Sequence, residues 1–382
     1  MLPYIILFFV LFFAVLSEAI NINESSRKKM AIVIVMFCVF FCGFRYYTGS
    51  DWAMYMEAYE KMPIIGNFHH WEMGFVWLSL FFHWMGVDYH FMQAFVSLFL
   101  FVSLYRMYKK HSEYPLFLFS SFVVLFFLEI CMAQVRQSIA VGILAFSLTY
   151  VLNKSFWKFF VVVFLAMQFH VSAVMFIPVY FLRFNFGRSF LVSLLILCQI
   201  IIFYPKILLT PITLLMPILP DRLADITSDY LSSNIFGVQK KAEVSFYFFV
   251  NIFLTILSVL LFSGKDEKKN LFVNCLVVST LIKVMSTSIG VMSRFVPYYM
   301  LFGLFSYVFF IDIHIGNVSK RIRSLLFLML FFLFLSYPFK NQLSSRRIEP
   351  LTHRPENYRL VPYYNYFFHP ATADQRKDWD EK

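Results

Sequence analysis

Charged residues are scarce in this chain. Only 14% of its 382 residues are charged, whereas about a quarter are charged in an ordinary soluble domain. Glycine is also rare, with 12 residues, while 52 phenylalanines and 22 tyrosines help to bring the hydrophobic share to 60%. No soluble core of this length could hide so much apolar surface. The composition therefore excludes an ordinary soluble domain and predicts an all-α polytopic membrane protein, in which lipid is the solvent for most residues.

Several chemical signatures are missing as well. The five cysteines lie in or beside apolar runs without Cys-x-x-Cys spacing, which indicates small buried side chains rather than disulfides or metal ligands. There is no Gly-x-x-x-x-Gly-Lys phosphate loop and no Gly-x-Gly-x-x-Gly motif, so nucleotide-driven transport has no support. The one Asp-x-Asp, Asp378-Trp379-Asp380, lies in the charged tail and is interpreted as chance. We therefore expect neither a metal nor another cofactor.

Apolar runs recur along the chain. A membrane helix needs about 20 mostly apolar residues, and the runs predict about 12 transmembrane helices, within a range of about 10 to 13. They lie at about 2–20, 30–44, 89–105, 114–130, 137–152, 156–170, 171–182, 189–203, 245–262, 270–288, 295–311 and 324–337. The run 171–182 is short and contains Pro178, which predicts a kinked or incomplete helix. Segment 71–86 is predicted to be interfacial or re-entrant, because counting it as a span would invert every later loop.

Basic residues then define the orientation. The net charge is +11, and most of the basic residues fall in short loops between the runs, so nucleic acid is not expected as a partner. The predicted cytoplasmic loops carry Arg27-Lys28-Lys29, Arg106/Lys109/Lys110, Lys154/Lys158, Arg183/Arg188, Lys265/Lys268/Lys269 and Lys320/Arg321/Arg323. This assignment predicts a single transmembrane domain over residues 1–337, with outer loops at 45–90 and 204–244 and a tail at 338–382 on the same outer side.

Costly polar side chains gather at the outer ends of the predicted spans. They are Arg45, Asp51, Glu72, Glu129, Arg136, Gln137, His170 and Arg294. Each alone has an ordinary interpretation: an arginine at a span end often reaches for lipid headgroups, and a single histidine is more often a structural hydrogen-bonding group. Ionisable groups near membrane depth are nevertheless expensive and usually functional. Because three arginines, a histidine and several carboxylates share one face, the pattern favours a functional site there.

Such a set suits transfer from a polyprenyl diphosphate. Guanidinium groups bind phosphate oxygens bidentately and stay charged, so two or three arginines would hold the diphosphate leaving group. These residues would be Arg136, Arg294 and Arg45. The base that accepts the proton of a sugar hydroxyl would be His170, Asp51 or Glu72, in that order of preference. Outer aromatic residues such as Tyr55 and Trp71 could stack on sugars, although an interfacial belt is the commoner role.

Three sequence patches carry a family resemblance. They are Arg45 with Thr48-Gly49-Ser50-Asp51, Tyr55 and Glu72-x-Gly74-Phe75; Arg136-Gln137-x-x-Ala140 with Tyr150, Trp157-Lys158 and Phe169-His170-x-Ser172-Ala173; and Arg294-Phe295-x-Pro297-Tyr298. At these residues the chain resembles the EpsG family of bacterial exopolysaccharide proteins, which belongs with the Wzy-type O-antigen and capsule polymerases. The family usually has Gly-Thr-Asp-Tyr where this chain has Gly49-Ser50-Asp51-Trp52. We expect the tail after residue 338 to lie outside the resemblance.

The resemblance implies a fold, an activity and a location. The fold would be that of the GT-C-type glycosyltransferase superfamily, which is shared with O-antigen ligases. The activity would be a metal-independent glycosyltransferase that polymerises undecaprenyl-diphosphate-linked oligosaccharide repeats for lipopolysaccharide or exopolysaccharide. The site would face the periplasm from the bacterial inner membrane, with Gln137, Ser172 and Tyr298 as supporting residues. A chain-length-determining co-polymerase would be a partner, beside the lipid-linked substrate and membrane lipids.

Two other interpretations remain open. An O-antigen ligase would transfer finished chains onto lipid A core with similar residues. A flippase or exporter would move the substrate without catalysis. Lys283, a charge within a predicted span, would suit transport, whereas the lack of an internal repeat gives an inverted-repeat transporter no support.

Overall fold

A computed structural model describes residues 2–65, 71–200, 246–314, 318–344 and 363–367. In these ranges the regular structure is helical, and the only β structure is an isolated antiparallel bridge between Arg45 and Asn365. The predicted all-α class is therefore confirmed for the described part of the chain. The predicted outer loop 204–244, the Asp378-Trp379-Asp380 motif and most of the tail lie outside the described residues.

The chain divides into two compact units, Met1–Val174 with Phe310–Lys382, and Met175–Phe309. The helices, in chain order, are α1 (Leu2–Ala19), α2 (Glu24–Gly43), α3 (Trp52–Ile65), α4 (Met73–Trp84), α5 (Tyr89–His111), α6 (Pro115–Phe126, continued by a π-helical turn Phe127–Cys131), α7 (Val135–Leu144), α8 (Ser147–Leu152), α9 (Phe156–Met167), a 3-10 helix (Val171–Phe181), α10 (Arg188–Cys198), α11 (Phe246–Phe262), α12 (Glu267–Ser286), a 3-10 helix (Gly290–Phe295), α13 (Val296–Gly303), α14 (Phe305–Val308), a 3-10 turn (Phe309–Asp312), α15 (Lys320–Leu335) and α16 (Tyr337–Ser344).

Membrane-length helices occur along the whole described chain. Within the described ranges, six segments are long and apolar enough to cross a bilayer. They are Leu2–Ala19, Tyr89–His111, Val135–Leu152, Glu267–Ser286, Gly290–Asp312 and Lys320–Lys340. Further apolar helices have 10 to 17 residues, including α4, α9, α10 and α11. The protein is thus a helical, integral membrane protein with several spans, and the count of about 12 stays a prediction.

The segment predicted to be interfacial or re-entrant forms α4. Its 12 residues rise about 18 Å, well short of the roughly 30 Å hydrocarbon core, so α4 alone does not cross it. Trp77 and Trp84 on this helix are exposed, as is typical of aromatic side chains at a membrane interface. The short run at 171–182 also differs from a full span, because it forms an 11-residue 3-10 helix that contains Pro178. The interfacial or re-entrant placement of segment 71–86 stays a prediction.

A buried carboxylate joins two helices of the first unit. Glu18, near the end of α1, accepts hydrogen bonds from the backbone N–H groups of Leu116 (3.1 Å) and Phe117 (2.8 Å). These donors lie in the first turn of α6, where helical N–H groups have no partner within their own helix. Glu18 therefore provides these N–H groups with acceptors and joins α1 to α6, and both helices also pack against α15.

Residues 363–367 return to the end of α2, and we call this segment the tail strap. The Tyr46 N–H donates to the Tyr364 carbonyl at 3.0 Å, and the Tyr366 N–H donates to the Phe44 carbonyl at 2.9 Å. The Tyr363 hydroxyl also donates to the Phe41 carbonyl at 2.6 Å. The strap thus anchors the stretch that connects α2 to α3. No pattern in the sequence had predicted this pairing.

The second unit is held together by polar contacts between apolar helices. The side-chain amide of Asn274 on α12 donates to the carbonyls of Leu182 (2.6 Å) and Phe184 (2.9 Å). The hydroxyls of Thr255 on α11 and Thr280 on α12 lie 2.9 Å apart. Such bonds satisfy polar groups where lipid or protein excludes water. Lys283, which the sequence placed within a span, is exposed in the last turn of α12.

Candidate functional site

Three of the predicted site residues meet in the first unit. Glu72 precedes α4, Arg136 lies in the first turn of α7, and His170 follows the end of α9. Arg136 Nη1 donates a hydrogen bond to Glu72 Oε2. The other oxygen of the same carboxylate, Oε1, lies 3.3 Å from His170 Nδ1. One carboxylate therefore connects the arginine and the histidine, and the expected convergence of these three side chains is present.

Main-chain contacts hold the beginning of α4 against the end of α9. The Gly74 N–H donates to the Gln168 carbonyl at 2.8 Å, and the Val171 N–H donates to Glu72 Oε1 at 3.2 Å. A Cβ atom on Gly74 would lie only 2.7 Å from the Gln168 oxygen. Glycine is therefore required for this approach, which explains Gly74 in the patch Glu72-x-Gly74-Phe75.

Replacing Gly74 with alanine is expected to displace Glu72 from His170. The new methyl group would force α4 away from Gln168, and overpacking of this kind costs about 1–3 kcal/mol of stability. The measurement is the thermal unfolding midpoint of the purified protein, together with its activity. Gly264→Ala is the control, because a Cβ there would meet only the end of the Arg188 side chain, at 3.9 Å. Equal unfolding midpoints for both variants would contradict the close-packing explanation.

Two aromatic residues fix the orientation of Arg136. Its Nε donates to the Tyr55 hydroxyl at 3.2 Å. Its guanidinium carbon lies 4.8 Å from the centre of the Trp71 ring and 5.9 Å from that of Tyr55, which are cation–π distances. Among the described residues, Nη2 has no hydrogen-bond partner. Arg136 is thus held through Nε and Nη1, while Nη2 can bind another acceptor.

The site is partly open, and its carboxylate is ionised. The side chains of Arg136, Glu72 and His170 are 21%, 17% and 15% exposed. Burial raises the pKa of the Glu72 carboxyl, but the hydrogen bond with His170 and the charge of Arg136 outweigh it and lower that pKa to about 2. An ionised carboxylate only accepts hydrogen bonds, so His170 Nδ1 must carry the shared proton. The lone pair of a neutral His170 ring then lies on Nε2.

The other predicted residues of the first unit occupy different positions. Asp51 precedes α3 and lies within electrostatic reach of Tyr55; burial raises the pKa of Tyr55, and the Asp51 charge adds to that rise. Ser172 lies two residues after His170 in the 3-10 helix. Gln137 follows Arg136, but its side chain is fully buried in α7. The structure describes no contact between these three residues and the Glu72 carboxylate.

Arg45 turns into the protein rather than toward an open surface. It is 2% exposed, and its guanidinium donates to the Cys42 carbonyl at the end of α2. Its own carbonyl accepts hydrogen bonds from Trp52 Nε1 (3.1 Å) and Gln93 Nε2 (3.2 Å). In this position Arg45 stabilises the stretch of chain that connects α2 to α3. A role of Arg45 in binding a diphosphate stays a prediction.

Arg294 and Tyr298 belong to the second unit. Arg294 lies in the 3-10 helix Gly290–Phe295, and Tyr298 lies in α13 with its side chain fully buried. Their predicted roles at the site stay predictions.

The sequence does not identify the aromatic partners of Arg136. It suggests only that Tyr55 and Trp71 stack on sugars or belong to an interfacial belt. The available signal was the position of Tyr55, four residues after Asp51 in a family patch, where one helical turn links the two positions. The position of Trp71 next to Glu72 carried no comparable signal, because its ring contact with Arg136 depends on tertiary packing.

Metal-binding clusters are not found in the described part of the chain. No group of three or more histidine, cysteine, aspartate or glutamate side chains there could hold an ion. The carboxylate at the centre of the site already binds Arg136 and His170.

The fold and the site together define a class: a helical integral membrane protein with a carboxylate-linked arginine and histidine at the ends of its helices. The chain belongs to the EpsG family, whose sequence model matches residues 28–364. EpsG-type proteins are Wzy-like polymerases, so the resemblance drawn from the sequence patches is confirmed. The match continues past residue 338 into the tail strap, which corrects the expectation that the tail lies outside the resemblance. Comparisons with curated proteins and with solved structures gave no match.

Proposed function

We propose that this protein polymerises oligosaccharide repeats carried on undecaprenyl diphosphate, at the periplasmic face of the bacterial inner membrane. The Arg136–Glu72–His170 cluster is the observation that carries the proposal. Within the described ranges, it combines a guanidinium and an imidazole, each with one nitrogen that has no hydrogen-bond partner, in one partly open site. Transfer of a glycosyl group from a diphosphate needs a cation for the leaving group and a base for the acceptor hydroxyl.

His170 is the base in this proposal. An acceptor sugar hydroxyl gives its proton to Nε2 as its oxygen bonds to the anomeric carbon of the donor chain. The bond between that carbon and the diphosphate oxygen breaks, and the diphosphate leaves with the electron pair. Because Glu72 has a pKa of about 2, it is a weak base at neutral pH, and it acts as the positioning residue that holds the His170 tautomer. Asp51 remains the alternative base.

Arg136 binds the diphosphate in this proposal. Its Nη2 group offers two N–H donors, and its charge offsets the negative charge that grows on the leaving group. The Glu72 carboxylate and the Trp71 ring hold the guanidinium in place before substrate binds. Arg294 and Arg45 are the proposed additional cations, with Gln137, Ser172 and Tyr298 as supporting residues. About 12 spans and a GT-C-type fold belong to the same proposal.

Reconstitution tests the proposed activity. Purified full-length protein in liposomes is given an undecaprenyl-diphosphate-linked repeat as the only substrate, and the products are separated by length. We expect a ladder of lipid-linked chains of increasing length, without added metal or nucleotide. A single-repeat product that is only moved across the bilayer would indicate a flippase. Transfer of finished chains to lipid A core, without elongation, would indicate a ligase. Either result would overturn the polymerase proposal.

Cysteine labelling tests the proposed orientation. Glu60 in α3 and Lys158 in α9 are both exposed, and they are predicted to lie on opposite sides of the membrane. A membrane-impermeant thiol reagent applied from the periplasm should label Glu60→Cys and leave Lys158→Cys unlabelled. All five native cysteines are buried, so background labelling should be low. Labelling of position 158, but not of position 60, would reverse the orientation and contradict a periplasmic site.

A further inference from the structure

A basic cavity lies away from the proposed active site. It has a volume of about 510 Å³ and lies between the last turns of α5 and the junction of α7 with α8. Four basic residues line it, namely Arg106, Lys109, Lys110 and His111. The Thr149 hydroxyl faces two of them, at 3.1 Å from Lys110 Nζ and 3.3 Å from His111 Nε2. Its volume falls in the range of sites that bind small ligands, about 300–1,000 Å³.

The charge of this cavity is largely uncompensated. None of the described residues that line it is acidic, and none of the described ion pairs includes Arg106, Lys109 or Lys110. Glu24 is within electrostatic reach of Lys109, but its carboxylate pairs with Lys28 at 2.7 Å. Basic side chains in the last turn of α5 also interact favourably with the helix dipole, and basic residues in loops set the orientation of a protein in the membrane. Neither effect requires the three cations to surround one half-open cavity, and this arrangement suits the binding of an anion.

Part of the cavity wall is apolar. Met107, Ala145 and Phe146 form this part; Met107 and Ala145 are buried, whereas Phe146 is 47% exposed. A free inorganic phosphate would make no favourable contact with such an apolar surface, whereas the acyl chain of a lipid would pack against it. Basic cavities between transmembrane helices are typical binding sites for anionic lipid headgroups.

The cavity and the catalytic cluster lie at opposite ends of one span. Arg136 is in the first turn of α7, whereas Thr149 is in α8 near the end of the same apolar segment, Val135–Leu152. Their separation of 13 residues corresponds to about 20 Å of helix rise. A ligand in the cavity therefore belongs to the other leaflet, and it is not the substrate diphosphate held by Arg136.

We propose that this cavity binds the phosphate headgroup of an anionic phospholipid. Arg106, Lys110 and the Thr149 hydroxyl contact the phosphate, and the acyl chain lies against Phe146. The site is independent of the polymerase proposal, since it contains none of the residues in the catalytic cluster.

Native mass spectrometry of the full-length protein tests this site. The protein is released from mixed micelles that contain equal amounts of phosphatidylglycerol and phosphatidylcholine. We expect the wild type to retain one phosphatidylglycerol with at least about tenfold preference, as several charge-assisted hydrogen bonds would give. The double variant Arg106→Ala/Lys110→Ala should lose that preference. The variant Arg106→Lys/Lys110→Arg keeps both charges and should retain most of the preference for phosphatidylglycerol. It shows whether loss in the alanine variant comes from the missing charges rather than from a folding defect.

A charge-matched control separates the cavity from general surface charge. Lys158→Ala/Arg321→Ala removes two exposed cations that do not line the cavity, and it should keep the wild-type preference. Equal loss in both alanine doubles would overturn the proposal, as would a wild type without preference for the anionic lipid. Displacement of the lipid by about 10 mM inorganic phosphate would also overturn it, because phosphate alone would then be the ligand.

Discussion

Replacing Arg136 with alanine is expected to lower the polymerisation rate by about a hundredfold or more, which is the usual cost of removing a group that stabilises developing charge. The change removes the cation proposed for the diphosphate, and it leaves the Glu72 carboxylate without its main partner. Arg136→Lys keeps the charge but cannot contact Tyr55, Glu72 and a phosphate together, so it should recover only part of the rate. The measurement is the length distribution and initial rate of lipid-linked chains in the reconstituted system.

The matched control for Arg136 is Arg321→Ala. Arg321 is an exposed arginine in the first turn of α15, and it contacts none of the cluster residues in the described chain. Its removal should leave the rate and the chain lengths unchanged. If Arg136→Ala, at equal expression and unfolding temperature, still makes long chains at the wild-type rate, the diphosphate role assigned to Arg136 is wrong.

Replacing His170 with alanine should lower the rate by about a hundredfold to ten-thousandfold, the range expected for loss of a general base. Because Arg136, the proposed diphosphate-binding residue, is unchanged, the affinity for the lipid-linked donor should change little. The decisive measurements are the initial rate of chain elongation and a separate binding assay for the donor.

His83→Ala is the matched control for His170. His83 is exposed near the end of α4, and its ring contacts Tyr59 with centroids 5.7 Å apart, away from Glu72. We expect normal activity for this variant. A His170→Ala protein that elongates chains at the wild-type rate would exclude His170 as the base and would favour Asp51.

The meeting of Glu72, Arg136 and His170 could be predicted from the sequence because membrane topology constrains it. The positive loops predict which end of each span faces out, and a costly ionisable group at that end is expected to contact other polar groups there. The carboxylate lies 64 residues before Arg136 and 98 before His170, and the predicted topology still assigns all three to one face. The helical class followed from composition alone. The family patches then identified the same three residues.

Side-chain direction could not be predicted in the same way. Arg45 and Arg136 both stand at the outer end of a predicted span, yet Arg45 is buried against the Cys42 carbonyl and Arg136 is partly open. A long side chain has many rotamers, and which rotamer it adopts depends on tertiary neighbours whose positions the sequence does not reveal. The same limit applies to Gly49, whose φ of +108° and close approach to the Met132 carbonyl could be seen only in the structure.

The tail strap has a consequence for biosynthesis. Its Tyr364 N–H pairs with the Thr48 hydroxyl at 3.2 Å, although 316 residues separate the two in sequence. A ribosome adding about 5–20 residues per second needs roughly 15 to 60 seconds to make that stretch. During this time the Phe44 carbonyl and the Tyr46 N–H are without their final partners, Tyr366 and Tyr364. The stretch that connects α2 to α3 is therefore among the first parts synthesised and among the last to complete its hydrogen bonds.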